Sequence, residues 1–140
     1  MNPLHYPSLE LCKKLTEEGF PNTEKCWARS LKWDDTKKTF PYELSSRPTP
    51  WGYYVAASVM ELLDELPCMI SWENKYLSER YPEKDIGYIL FMQKYYHCYR
   101  VSYFNKFFWD YKHYIDSKNY ADSLAKMWLW LKENDLLPKK

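Results

Sequence analysis

The sequence predicts an α+β fold: an antiparallel sheet of about five to six strands with three helices packed on one face. Three observations lead there. Three segments repeat apolar residues at helical spacing between their own start and stop signals. The stretches between them are rich in Ile, Tyr, Phe and Trp, side chains that suit a pleated surface. The strand candidates also follow one another through short links, which favours antiparallel pairing. With 140 residues the chain reads as one domain spanning 1–140.

Ser8 caps a first helix over Leu9–Glu18, whose stripe is Leu11, Cys12 and Leu15. Gly19 supplies the left-handed stop and Pro21 follows it. Lys25–Trp33 alternates as a half-buried strand. Trp27, Leu31 and Trp33 are expected on one face, with Ala28, Ser30 and Lys32 on the other. After the polar turn Asp34–Lys37, Thr39–Leu44 returns as a strand that Pro41 confines to a sheet edge. Ser45–Pro50 is a loop. Ser58–Glu61 is a capping box opening the helix Val59–Leu66, which Pro67 ends. Val59, Leu62, Leu63 and Leu66 form its buried face. Met69–Tyr76, Ile86–Met92, Tyr95–Tyr103 and Phe107–Ile115 are the remaining strands. Asn119 caps a final helix, Tyr120–Asn134, with Ala121, Leu124, Ala125, Trp128 and Leu131 facing inward.

Composition removes several functional classes. Only 3 glycines are present, too few for a glycine-rich phosphate loop. A net charge of +1 gives no overall drive toward nucleic acid or membrane. The N-terminal segment lacks a basic, then apolar, leader, and no apolar run is long enough to cross a bilayer. The expectation is a cytoplasmic protein with no membrane partner. Cys12, Cys26, Cys68 and Cys98 are widely spaced and read as reduced, small apolar residues.

Lys94–Tyr114 carries ten aromatics in 21 residues, interleaved with Lys94, Arg100, Lys106 and Lys112. It lies in the basic part of the chain. Residues 94–140 hold 9 basic and 5 acidic groups, against 11 and 14 in residues 1–93. A turn at Asn105-Lys106 would pair positions summing to 210, setting Arg100 opposite Asp110 and Tyr96 opposite Tyr114. Tyr95, Tyr99, Val101, Tyr103, Phe107, Trp109, Tyr111 and Ile115 then form an apolar face. The other face carries Tyr96, Cys98, Arg100, Ser102, Phe108, Asp110, Lys112 and Tyr114. Aromatics beside cations suit a protein interface or stacked, unpaired bases. Tyr96, Arg100, Phe108, Lys112 and Tyr114 are the binding residues this reading selects.

Catalytic patterns are weak. His97 and His113 fall opposite each other in that register, but a metal site needs a third ligand, and packed core histidines are the simpler account. Asp64 with Glu73-Asn74-Lys75 echoes the acidic-x-Lys element of metal-dependent nucleases, although Asp64 sits on a helix where that element wants a strand. Neither a catalytic residue nor a cofactor or metal is expected. A pocket lipped by Arg47, Trp51 and Tyr53 in the loop Ser45–Tyr54 would suit a small molecule such as a signalling nucleotide.

Three segments together, Leu9–Lys25, Ser58–Pro67 and Asn119–Leu137, resemble small accessory proteins of bacteriophages and prophages of Bacteroidetes. The likeness rests on helices and leaves out the aromatic hairpin, so it transfers no functional residue. It implies a setting: a phage-encoded, non-enzymatic, anti-CRISPR-like inhibitor acting in the host bacterial cytoplasm. The expected partner is a host defence effector protein or its guide RNA, met through the hairpin face. A nucleotide-sequestering protein and a metal-dependent nuclease are the alternatives.

Overall fold

The computed structural model describes residues 5–48, 52–71, 87–105 and 109–138. Among these residues the order is α1 (Leu9–Glu17), β1 (Lys25–Arg29), β2 (Tyr42–Ser45), β3 (Tyr53–Ala56), α2 (Val59–Glu65), β4 (Met69–Ser71), β5 (Gly87–Lys94), β6 (Tyr99–Asn105), β7 (Asp110–Ser117) and α3 (Tyr120–Glu133). The α+β class holds, but the strands form two antiparallel sheets, β2-β1-β3 and β4-β5-β6-β7, in place of one.

Each helix is bounded by chemistry within a few residues. Ser8 Oγ accepts the Leu11 N–H at 3.4 Å, and Asn119 Oδ1 accepts the Asp122 N–H at 2.9 Å. The Ser8 N–H itself donates to Asp122 Oδ1 at 2.8 Å, tying the starts of α1 and α3 together. The capping box at Ser58 and Glu61 is complete. Glu61 also accepts the Glu24 N–H, locking α2 to the entry of β1. Gly19, at φ +84°, closes α1: its N–H bonds Thr16 O, and the next N–H, of Phe20, bonds Leu15 O at 2.9 Å. This is the double bond pattern a left-handed glycine permits. It delivers Phe20 edge-on to Trp128 in the core, with ring centroids 5.0 Å apart.

One buried cluster spans both sheets and all three helices. It includes Leu15, Val55, Leu62, Ile70, Tyr88, Tyr103 and Leu124. α1 packs on β3 and α3, and α3 lies across β6 and β7. Residues distant in sequence meet the backbone of β3. The Val55 N–H of β3, an outer strand, donates to Thr16 Oγ1 at 2.9 Å, and the Ala56 N–H donates to Thr23 Oγ1 at 3.2 Å. The Thr16 hydroxyl thus occupies a donor on the free edge of β3, while the Ala56 N–H, one residue on, points the other way, to Thr23 at the entry of β1.

Several expectations need correction. β1 ends at Arg29, short of the expected Trp33, and turns Cys26 and Ala28 into the core, so of its two faces the one carrying Ala28 is buried. Leu31 and Trp33 are exposed. β3 occupies part of the predicted loop Ser45–Tyr54, so Tyr53 is a strand residue there; Trp51 lies outside the described residues. Cys12 and Cys26 behave as small core residues, and burial pushes the Cys12 thiol up to about 12. Cys68, however, is exposed. No helix is long and apolar enough to cross a membrane among the described residues.

Candidate binding face of the four-stranded sheet

Alternation along β5, β6 and β7 sends one set of side chains under α3 and the other outward. Val101 and Tyr103 are fully buried, and Ile115 packs against the same core. The outer set is aligned in cross-strand rows. Met69, Ile89, Phe104 and Tyr111 face one another across all four strands. Phe91, Ser102 and Tyr114 make a second row, and Gln93, Arg100 and Asp116 a third. Ring contacts link Phe91 to Phe104 (6.0 Å), Phe104 to Tyr111 (5.0 Å), and Tyr111 to Tyr114 (5.5 Å). Trp109 adds its ring at 6.0 Å from Phe104 and is 83% exposed. Between these rings Ser102 is fully buried, and its Oγ–H donates to Phe91 O at 3.3 Å.

Arg100 is the centre of the third row. Its Nε and Nη2 donate to the two Asp116 carboxylate oxygens at 2.7 and 2.9 Å. Its guanidinium carbon stands 4.1 Å from the Tyr114 ring centroid, 4.8 Å from Tyr95 and 5.6 Å from Tyr111. Hydrogen bonding from Arg100 holds the Asp116 carboxyl below its usual range, against the opposing pull of burial. Gln93 Oε1 accepts hydroxyl protons from Tyr95 at 3.1 Å and Tyr111 at 3.3 Å. The face therefore contains a cation whose charge is matched at contact distance and whose planes are covered by rings. What it presents outward is aromatic and aliphatic surface.

The observed hairpin differs from the predicted one. Partners between β6 and the far part of β7 sum to 216, not 210, so Arg100 meets Asp116 instead of Asp110, and Tyr114 meets Ser102 instead of Tyr96. Asn105 is the last residue of β6 and not a turn residue: it is buried, and its Nδ2 donates to Gly87 O at 3.0 Å. Tyr95 and Tyr96 belong to the tight connection between β5 and β6, closed by the Tyr95 N–H on Cys98 O at 2.8 Å. Pairing jumps from Tyr103↔His113 to Phe104↔Tyr111, leaving Lys112 as the extra residue of a β-bulge. The bulge moves Tyr111, predicted on the core face, to the outer face beside Arg100.

The selected residues are thus distributed unevenly. Arg100 and Tyr114 are in contact on the outer face. Tyr96 stands at the rim, 95% exposed, with its ring edge-on to His97 at 4.6 Å. Lys112 is exposed on the outer strand, where a charged bulge discourages pairing with another chain. Phe108 lies outside the described residues. Tyr95, Phe91, Phe104, Tyr111, Gln93 and Asp116 were not selected. Phe91 and Gln93 could have been found from alternation in β5 alone; Asp116 required the true turn position.

His97 and His113 do not meet. His97 is exposed in the β5–β6 connection, while His113 stacks on Trp130 with ring centroids 4.2 Å apart and planes 5° apart. Burial lowers the His113 pKa. Asp64 is on α2; Glu73 and Lys75 lie outside the described residues. Among the described residues no group of three or more His, Cys, Asp or Glu side chains is arranged to hold a metal. The site defines a class by its physical form: an α+β protein whose described residues include a partly exposed aromatic sheet face. No protein-family model, curated protein or solved structure matches the chain.

Proposed function

We propose that this chain is a non-enzymatic binding module that docks a protein partner on the outer face of the four-stranded sheet. The observation that carries the reading is the pairing of exposed aromatic rows with an internally neutralised Arg100. Aromatic and Met side chains with few free charges are the composition of interface centres. A polyanion needs unmatched cations along its backbone, so the same face suits protein better than guide RNA. The partner we propose is an effector of host defence in the bacterial cytoplasm, the setting implied by the resemblance of the helices to phage accessory proteins. In this reading the module inhibits by occupying the effector surface.

The test is protection of phage in bacteria that carry defined defence systems, with and without this chain. Protection against one system, lost in Phe91→Ser and Tyr96→Ser variants that remain folded, supports the reading. Protection unchanged in both variants, or none against any system tried, removes it. Purified effector and chain should then form a complex by size-exclusion chromatography that survives nuclease treatment; loss of the complex on nuclease treatment would transfer the reading to guide RNA.

A further inference from the structure

A second surface lies away from this face. Beyond the three-stranded sheet, β1 and β2 continue as a narrow arm formed by residues 30–41. The Ser30 N–H bonds Pro41 O at 2.6 Å, and Asp34 and Thr39 exchange backbone bonds near the tip. Asp34 Oδ1 accepts the N–H groups of Thr36 and Lys37 at 2.9 and 3.2 Å, and Lys38 completes the turn at φ +50°. Phe40 is clamped between Arg29, whose guanidinium carbon is 4.9 Å from its ring centroid, and Trp33, whose ring lies edge-on at 5.2 Å. The arm is therefore shaped by its own contacts.

The arm exposes apolar and basic side chains side by side. Leu31 is 70% and Trp33 51% exposed, one on each side of Lys32. Lys32, Lys37 and Lys38 are exposed and enter no ion pair among the described residues. From Arg29 to Phe40 there are four basic and two acidic side chains, a net charge of +2 in a chain whose total is +1. A groove of about 330 Å³, lined by Arg29, Ser30, Leu31 and Phe40, runs beside Leu31. The expectation of no membrane partner rested on whole-chain charge and on spanning segments, and neither registers such a local concentration.

We propose that this arm docks on an anionic lipid surface, with Leu31 and Trp33 entering the interface and Lys32, Lys37 and Lys38 meeting the headgroup charge. Trp favours the headgroup level of a bilayer, an aliphatic residue beside it gains from leaving water, and each nearby lysine adds electrostatic attraction. Single-stranded nucleic acid fits the same arm less well. Leu31 has no ring to stack on a base, the Trp33 ring is already engaged edge-on with Phe40, and the Arg29 guanidinium is laid on the same Phe40. This inference does not depend on the outer sheet face.

The experiment is co-sedimentation of the full chain with vesicles of phosphatidylcholine alone and of phosphatidylcholine mixed with phosphatidylglycerol. Binding is expected to the anionic vesicles only and should fall as salt is raised. Leu31→Ser with Trp33→Ser, and separately Lys37→Ala with Lys38→Ala, should each weaken partitioning by about tenfold or more. All four side chains are exposed or border solvent, and unchanged circular dichroism would verify the fold. Phe91→Ser should bind vesicles as the parent does. The inference is overturned if the chain stays in the supernatant with anionic vesicles, if both arm variants sediment like the parent, or if the arm substitutions abolish binding to a uridine oligonucleotide while vesicles go unbound.

Discussion

Two tyrosines on neighbouring strands show how differently the two faces of the four-stranded sheet are built. Tyr103 points under α3, is fully buried, and donates its hydroxyl proton to Pro67 O at 2.7 Å. Tyr114, paired with the adjacent Ser102, points outward and rests on the Arg100 guanidinium. The inner ring is held by packing on every side plus one backbone acceptor. The outer ring is held by one cation and by other rings, with its remaining surface in water. On this contrast, inner-face side chains are expected to decide whether the sheet exists, and exposed outer-face side chains to be replaceable without losing it. A surface of that kind is free to be shaped for a partner.

The strongest break in this comparison is Tyr103→Ala. Loss of a fully buried ring and of its hydrogen bond should cost about 3–5 kcal/mol, read as a lower urea midpoint. Tyr114→Ala should cost about 1 kcal/mol, and a loss as large as that at Tyr103 would show that the outer face is core after all.

Arg100→Gln comes next, at about 1–2 kcal/mol near neutral pH, since it removes an ion pair and its ring contacts together. Its pH dependence has a definite sign. Arg100 depresses the folded pKa of Asp116, so the parent's advantage is complete above the unfolded value of about 3.9 and fades as pH falls toward the folded one. The stability gap between parent and variant should therefore narrow below about pH 4. A gap constant down to acid unfolding would mean that the pair contributes nothing through charge.

His113 supplies a smaller effect from the inner side. Stacked on Trp130 and lowered in pKa by burial, it favours the neutral ring in the fold. Stability should be complete above its unfolded value of about 6.5 and decline as pH drops from there toward the folded pKa. His113→Phe should flatten that part of the profile.

The smallest change expected in stability is at Trp109. Its backbone lies at φ +52°, a region that side chains with a Cβ adopt at a cost of about 1–2 kcal/mol, while its ring is largely in solvent. Trp109→Gly should leave thermal unfolding within about 1 kcal/mol of the parent, because relief of the backbone offsets the lost contact with Phe104. Partner binding through the outer face should nonetheless weaken, separating the ring's use from its contribution to folding.

Helix ends and strand parity were readable because the interactions behind them are short in sequence. Ser8, Ser58 and Asn119 cap helices through N–H groups three residues away, and Gly19 closes its turn with carbonyls three and four residues back. Arg100, Ser102 and Tyr114 were placed on the correct face despite a wrong register, because the pairing sum changed by six, an even number that leaves each side chain on its side. Tyr111 was misplaced because one inserted residue, Lys112, reverses parity beyond it. For β1 the sequence left a choice open. Alternation identifies two faces without saying which is buried, and the small Cys26 and Ala28 are those that fit into the core.

The amino-acid order alone therefore settled the α+β class, three capped helices, and a sheet with one greasy and one mixed aromatic side. The folded chain decided that the strands would divide into two sheets, that Arg100 would be matched by Asp116, and that Leu31 and Trp33 would stand on a projecting arm. These outcomes depend on where a turn closes and on which distant residues a strand meets. Such contacts join residues many positions apart, and no local pattern encodes the distance between them.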